Sequence, residues 1–299
     1  MSAEADVLVV GAGPGGSALA TLLARTGLTV TLAERAAFPR DKACSEYLSP
    51  EALRVLDRLG ALDDLAPQGA PLHGTTVFAP RGARLDGAFA AAGHQPFRPT
   101  GLSVARRILD ARLAAGAVAA GATLLERHTV EDLLYDRGAV AGAVVRDASG
   151  ARRSIRARVT VGADGLRSIV ARRLGARRHS HPRRVGFVAH VAHVPGLRGS
   201  AEMHVGAAGY AGLNDIGGGI ANVALVVPAA RARAAAGRAA PFFFEALETF
   251  PGVRGRVRPG DLARRVLVSG PFAARASRVT ADGALLLGDA ADFFDPFTG

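Results

Sequence analysis

The 299 residues include a single cysteine, Cys44, and no tryptophan. One cysteine cannot close an internal disulfide, so neither an oxidising compartment nor a disulfide scaffold is indicated. Lysine is nearly absent too: Lys42 is the only one, and arginine supplies the rest of the 37 basic residues. No apolar run approaches the roughly 20 residues of a membrane span, and the opening MSAEADVLVV lacks the basic region and long apolar core of a secretion signal. These absences predict a cytoplasmic chain with no stable membrane insertion. What is present is ordinary globular material, 49% hydrophobic and 21% charged, which excludes wholesale disorder. A chain of this length buries enough surface to fold without metal or disulfide.

The basic residues exceed 26 acidic ones and leave a formal charge of +11, a balance that raises nucleic acid as a partner. Their arrangement argues against it. The arginines are scattered singly and in pairs such as Arg106-Arg107 and Arg172-Arg173, with no basic tract and little interleaved aromatic residue for base stacking. A small anionic ligand, such as a nucleotide, remains compatible with the composition.

The N-terminal stretch is the most informative. Asp6 to Val10 is an apolar run suited to a strand buried on both faces. GAGPGG follows at once, with Gly11, Gly13, Pro14, Gly15 and Gly16 placing three glycines in G-x-G-x-x-G spacing. Ser17 to Arg25 reads as a helix stopped by Gly27, and Leu28 to Leu32 as a second strand leading to Glu34 and Arg35. Strand, glycine turn, helix and strand, with an acid at the end, form a βαβ dinucleotide unit. The first glycine permits a tight turn, the second lets backbone approach a pyrophosphate, and the third lets helix and strand pack closely. The pyrophosphate would sit on exposed amides at the helix N-terminus, with Glu34 accepting from ribose hydroxyls.

Further along, Ser49-Pro50-Glu51 and Gly60 bracket a helix over 50–59, and residues 74–90 alternate as antiparallel strands do. A long helix is expected over 105–120, strands near 122–126 and 139–147, and a strand running into a turn over 154–168. A strand-rich block spans 185–227, residues 229–250 read as helical, and 283–299 as a buried strand running into a glycine–aspartate turn.

Three separated motifs together resemble one family. The glycine motif with Glu34, then Gly162-Ala163-Asp164-Gly165-Leu166-Arg167-Ser168, then Gly288-Asp289-Ala290-Ala291 followed by Asp295-Pro296-Phe297-Thr298-Gly299 resemble the FAD-dependent oxidoreductase superfamily of aromatic-ring hydroxylases, geranylgeranyl reductases and flavin-dependent halogenases. The resemblance covers the whole chain and implies FAD as cofactor. It implies that Asp289 bonds the ribityl or pyrophosphate part and that Pro296 lies against the isoalloxazine ring. Thr298 and Gly299 would open a turn whose amides face the flavin. Arg106, in the pattern Arg-x-x-x-Asp110, would reach the cofactor from its helix, Val130 would lie where main-chain groups read adenine, and Asp164 would tie a strand end to the pyrophosphate loop. The loop Pro39-Arg40-Asp41-Lys42-Ala43-Cys44 resembles that of the reductase and halogenase branches, with Ser45 in place of the usual glycine. Cys44 reads either as a thiol near the flavin, beside Lys42 and Arg40, or as a small buried side chain.

With no tryptophan, the chain lacks the halogenase branch's tryptophan-bearing motif, and the tyrosine–tryptophan signature of isoprenoid reductases is missing as well. His179 with His181, or His190 with His193, could be written as metal-ligand pairs, yet strand positions three apart face opposite sides and no acidic or cysteine partner is expected to converge nearby, so no metal site is expected. The family continues beyond the motif that holds Gly299, so the 299 residues read as a truncated chain that binds FAD poorly alone. The fold implied is α/β: a Rossmann-like FAD domain of 1–72, 100–180 and 265–299, with an inserted antiparallel substrate domain of 73–99 and 181–264. The implied function is FAD-dependent oxidation–reduction of a small, largely apolar molecule, with electrons from NAD(P)H. Monooxygenation ranks ahead of carbon–carbon double-bond reduction, and an inactive remnant of the fold is the rival.

Overall fold

The computed structural model describes residues 4–89, 95–197, 199–207 and 209–298. The chain divides into two compact units, one of residues 1–40, 107–181 and 273–294, the other of 41–106, 182–272 and 295–299. Residues 41–72, 100–106, 265–272 and 295–299, expected with the nucleotide-binding part, cluster in the second unit.

The first unit is built on a parallel sheet. Its strands lie in the order Ala284–Leu286, Arg152–Gly162, Ala5–Val10, Val30–Ala33, Thr123–Leu125. The first strand explains why: Leu8 and Val10 enter one apolar cluster while Val7 and Val9 enter another, so both faces are covered, as parallel sheets require. The Arg152–Gly162 strand runs on past the parallel region, where its N-terminal half pairs antiparallel with Ala139–Arg146, itself paired with Thr129–Asp136. The helix that follows the first strand spans Pro14–Ala24, starting three residues before Ser17. Proline's fixed φ and missing N–H suit the first helical turn.

The second unit carries a seven-stranded sheet in the order Leu262–Ser269, Arg184–Ala192, Ile220–Pro228, Gly209–Asp215, Ser200–Gly206, Gly74–Phe78, Arg84–Ala88. All neighbours are antiparallel except Ser200–Gly206 with Gly74–Phe78. One face is dry: Phe187, Ala189, Val191, Leu213, Val223 and Leu225 pack with Phe242, Phe243 and Leu247 of the helix Ala239–Leu247. The helical stretch expected over 229–250 is broken, with a short helix at Ala229–Ala232, a 3-10 turn at Arg233–Ala235, and the longer helix afterwards. Gly237, with φ +72°, makes the break. The Pro50–Leu59 helix forms as its flanking residues dictate: the Ser49 hydroxyl accepts from Ala52 N at 3.2 Å, and Gly60 ends it in the left-handed region. Among the described residues no helix is long and apolar enough to cross a membrane.

Candidate functional site

In the first unit the glycine loop is held by backbone alone. Gly11 has φ +98°, and a Cβ there would meet the Ala163 carbonyl oxygen at 2.6 Å. A Cβ on Gly16 would sit 1.9 Å from the Gly11 carbonyl oxygen. Both positions therefore exclude any side chain, and the loop can fold back tightly over the strand end. Gly13 caps the helix with no side-chain hydrogen bond, and no acidic residue lies in the first turn. The helix thus presents amides and its positive dipole end without a competing carboxylate on that turn. This donor set fits a pyrophosphate.

Glu34 lies at the tip of the second strand with about 5% of its surface exposed. Its Oε2 accepts from Ala12 N at 3.0 Å and from Arg40 Nη2 at 3.2 Å, and its Oε1 accepts from Ala36 N at 3.1 Å. A carboxylate offers about four acceptor positions, so these bonds leave room for a further donor such as a ribose hydroxyl. Arg40 also donates to Asp110 Oδ2 at 2.7 Å, and Asp110 is fully buried. Sequence reasoning missed this Glu34–Arg40–Asp110 set because Asp110 lies 70 residues from Arg40. Arg35, next to Glu34, points into solvent.

Near Glu34, the His128 amide donates to the Glu34 carbonyl at 2.9 Å. That bond brings the start of the Thr129–Asp136 strand, and with it buried Val130, to the acid's end of the sheet. Asp164 follows the Arg152–Gly162 strand; its Oδ2 accepts from Ile169 N at 2.6 Å. Burial pushes the Asp164 carboxyl above the usual carboxylate range, against hydrogen bonds from Ser168 and nearby amides. Gly288 and Asp289 open a 3-10 turn after the Ala284–Leu286 strand. In this unit, then, Gly11, Gly13, Pro14, Gly15, Gly16 and Glu34 form one end of the sheet, and Leu287 N donates to the Gly162 carbonyl alongside.

The second unit holds Lys42, Cys44, Arg106 and Pro296; Gly299 lies outside the described residues. Cys44 is a free, half-buried thiol whose Sγ accepts from Glu46 N at 3.4 Å. Lys42 is half-buried. Arg106 opens the helix Arg106–Ala119, and its amide donates to Glu46 Oε1 at 2.9 Å. Glu46 itself was not anticipated. It is 3% exposed and adopts φ +57°, and its Oε2 accepts from His190 Nε2 at 2.7 Å. His190 is buried as well, and Glu46 is an acidic partner that the sequence reading did not expect beside it. Asn214 donates to the Ser103 hydroxyl, and Asn222 Nδ2 donates to the Ser45 carbonyl at 2.9 Å.

The Asp295-Pro296 turn is pinned by a separate set. Tyr210 Oη donates to Asp295 Oδ1 at 2.7 Å, Arg184 Nη1 donates to Asp295 Oδ2 at 2.8 Å, and the Phe297 ring meets Tyr210 edge-on with centroids 5.0 Å apart. Burial, then the Asp295 carboxylate, pushes the Tyr210 hydroxyl well above its ordinary pKa. Tyr210 lies within the strand-rich block expected over 185–227, and nothing there signals its partner, which lies 85 residues away.

Residues 4–299 match the FAD binding domain family. The chain belongs to that family. Among curated relatives, a menaquinone reductase of Mycolicibacterium smegmatis is 36% identical over 60% of this chain and 42% of its own length. A digeranylgeranylglycerophospholipid reductase of Methanosarcina mazei is 28% identical over 100% of the chain and 72% of its own length. The chain thus spans under half of the first of these relatives. Among solved structures, the chondrochloren halogenase CndH superposes with a TM-score of 0.90 at 24% identity, covering 98% of this chain and 70% of that one. The probable FAD-dependent monooxygenase pqsL of Pseudomonas aeruginosa gives 0.76 at 24% identity, over 98% and 80%. These likenesses establish the mixed α/β fold of this FAD-binding family member, parallel sheet and antiparallel sheet together.

Proposed function

We propose that the chain performs FAD-dependent oxidation–reduction of a small, largely apolar organic molecule, with electrons from NAD(P)H. The observation that carries this reading is the side-chain-free glycine cradle at Gly11 and Gly16 beside an uncapped helix N-terminus, with Glu34 retaining an acceptor position. Gly11, Gly13, Pro14, Gly15, Gly16, Glu34, Arg35, Val130, Asp164, Gly288 and Asp289 are the residues proposed for the dinucleotide end. Lys42, Cys44, Arg106, Pro296 and Gly299 are proposed for the flavin end. When bound, the flavin supplies the electron transfer. The chain's own residues fix its pyrophosphate with amides and its ribose with Glu34, while Arg40 holds the Glu34 carboxylate in place.

Monooxygenation is the reading offered first. A second reading, reduction of a carbon–carbon double bond, is favoured by the names of the relatives that align with the whole chain, which are reductases. FAD titration followed at visible wavelengths tests cofactor binding, and oxygen uptake with NAD(P)H separates the two reactions. Uptake coupled to an oxygenated product supports the first; NAD(P)H oxidation under anaerobic conditions with a saturated product supports the second. A chain that takes up no FAD overturns both.

A further inference from the structure

The face of the seven-stranded sheet opposite the dry cluster carries a polar row. Arg264, His190, Asn222 and Asn214 are successive cross-strand partners on four neighbouring strands, and directly opposed residues share a face. His190, Asn222 and Asn214 are buried, and the Arg264 side chain is 10% exposed. The next row on this face, Val188, Ala224, Gly212 and Met203, is apolar and small in its middle. Ala224, Gly212 and Met203 are its partly accessible members, and the strand neighbours of Ala224 and Gly212 are buried.

Arg264 reaches this face through two irregularities. In an uninterrupted strand Leu262, Arg264 and Val266 would share a side, and Leu262 and Val266 do pack on the dry cluster. The register shifts on either side of the His190–Arg264 pair turn Arg264 to the opposite face. There its Nε, Nη1 and Nη2 are all buried without a hydrogen-bond partner. Asp41 stands 4.0 Å from Nη1, beyond hydrogen-bonding reach, and the Glu46 carboxylate bonds Arg106 N and His190 but makes no hydrogen bond to Arg264. Asn222 Oδ1 on the same face is also without a partner. A buried guanidinium with five unused N–H donors calls for an acceptor, and a planar carboxylate matches its fork. Burial lowers the guanidinium's pKa, against the opposing pull of Glu46 and Asp41.

We propose that Arg264 is the carboxylate-binding residue of the substrate site, and that the substrate is a monoanionic organic acid whose apolar body lies along the Ala224–Gly212 row. This rests on the reading of the sheet unit as the substrate-handling part. The carboxylates of Asp41 and Glu46 near Arg264 disfavour a dianionic phosphate. A hydroxyl or amino group on the substrate would satisfy Asn222 Oδ1.

Calorimetric titration of the full chain with naphthalene-2-carboxylate, its neutral carboxamide and 2-naphthyl phosphate tests the assignment. The expected result is saturable binding of the carboxylate, about tenfold or more tighter than the carboxamide, and tighter than the phosphate. Arg264→Met should abolish the difference between acid and amide. Should that variant lose its cooperative thermal transition, Arg264→Lys, which keeps the charge without the fork, should shrink the preference. Equal binding of acid and amide, binding of neither, tighter binding of the phosphate, or a preference that survives substitution of Arg264 overturns the proposal. FAD content read from absorbance of the same samples separates the two ideas. A flavin-free chain that still prefers the acid overturns the proposed redox function alone, whereas a flavin-loaded chain without the preference overturns the acid site alone.

Discussion

The glycine-loop end of the parallel sheet and the polar face of the antiparallel sheet are built by opposite means. At the first, recognition is by backbone: Gly11 and Gly16 contribute by having no side chain, and their neighbours contribute amides. At the second, recognition is by side chains. Glu46, His190, Asn222 and Arg264 come from residues spread over more than two hundred positions of sequence and meet through strand pairing. A backbone site tolerates no added atom but is indifferent to most chemistry around it. A side-chain site tolerates small changes of volume and fails when one charge or hydrogen bond loses its partner.

The sharpest way to break this contrast is at Gly16. Gly16→Val places atoms on the Gly11 carbonyl, and a loss of roughly 3 kcal/mol or more is expected from backbone displacement. Denaturant unfolding should show it, with FAD absorbance failing to develop. Next comes Glu46→Ala, which leaves the Arg106 amide and His190 without their buried acceptor. An expected loss of about 3 kcal/mol follows the behaviour of broken buried pairs, and Glu46→Gln, which keeps an acceptor oxygen, should lose clearly less. Tyr210→Phe removes one hydrogen bond to Asp295 while the Phe297 contact survives. It should cost about 1 kcal/mol, and a change in thermal midpoint of a few degrees would register it.

The smallest effect concerns pH, and the two units should respond with opposite signs. Glu202 in the sheet unit is raised by burial, but hydrogen bonds from His204 and Arg256 win and hold its pKa below the usual range. Its contribution is therefore present above the unfolded carboxylate value, near 4.3, and is lost as pH falls through the folded one. Asp164 in the nucleotide unit is shifted upward, so its contribution is complete below the unfolded value and declines as pH rises through the folded one. Stability measured across the acid range should lose its acid-side slope in Glu202→Gln and its opposing slope in Asp164→Asn. Like-signed slopes would show that the two carboxyls sit in equivalent surroundings after all.

Much of the first unit was legible because its signals are local. The strand at 5–10, the glycine turn and the return strand ending at Glu34 lie within some thirty residues, and each element carries its own pattern. The helix start was misplaced by three residues because Pro14, read as part of the glycine loop, is already its first helical residue. The break in the helix at 229–250 turned on one left-handed glycine among many alanines. The polar face was illegible for a different reason. His190 sits among apolar residues and Arg264 beside Arg265, and nothing in either segment says that His190 and Arg264 oppose each other. Arg264 was further hidden because simple alternation assigns it to the dry side with Leu262 and Val266.

The two bulges beside Arg264 carry a consequence for which charge the polar face receives. Strand residues alternate sides, so the direction of this charge depends on how many residues the strand holds between its fixed pairs. Were the pairing to run on regularly from Val188–Leu267, Arg265 would oppose His190 and Arg264 would face the apolar cluster, with the amino-acid sequence unchanged. Which of two adjacent arginines serves the polar face is thus set by strand register and not by composition.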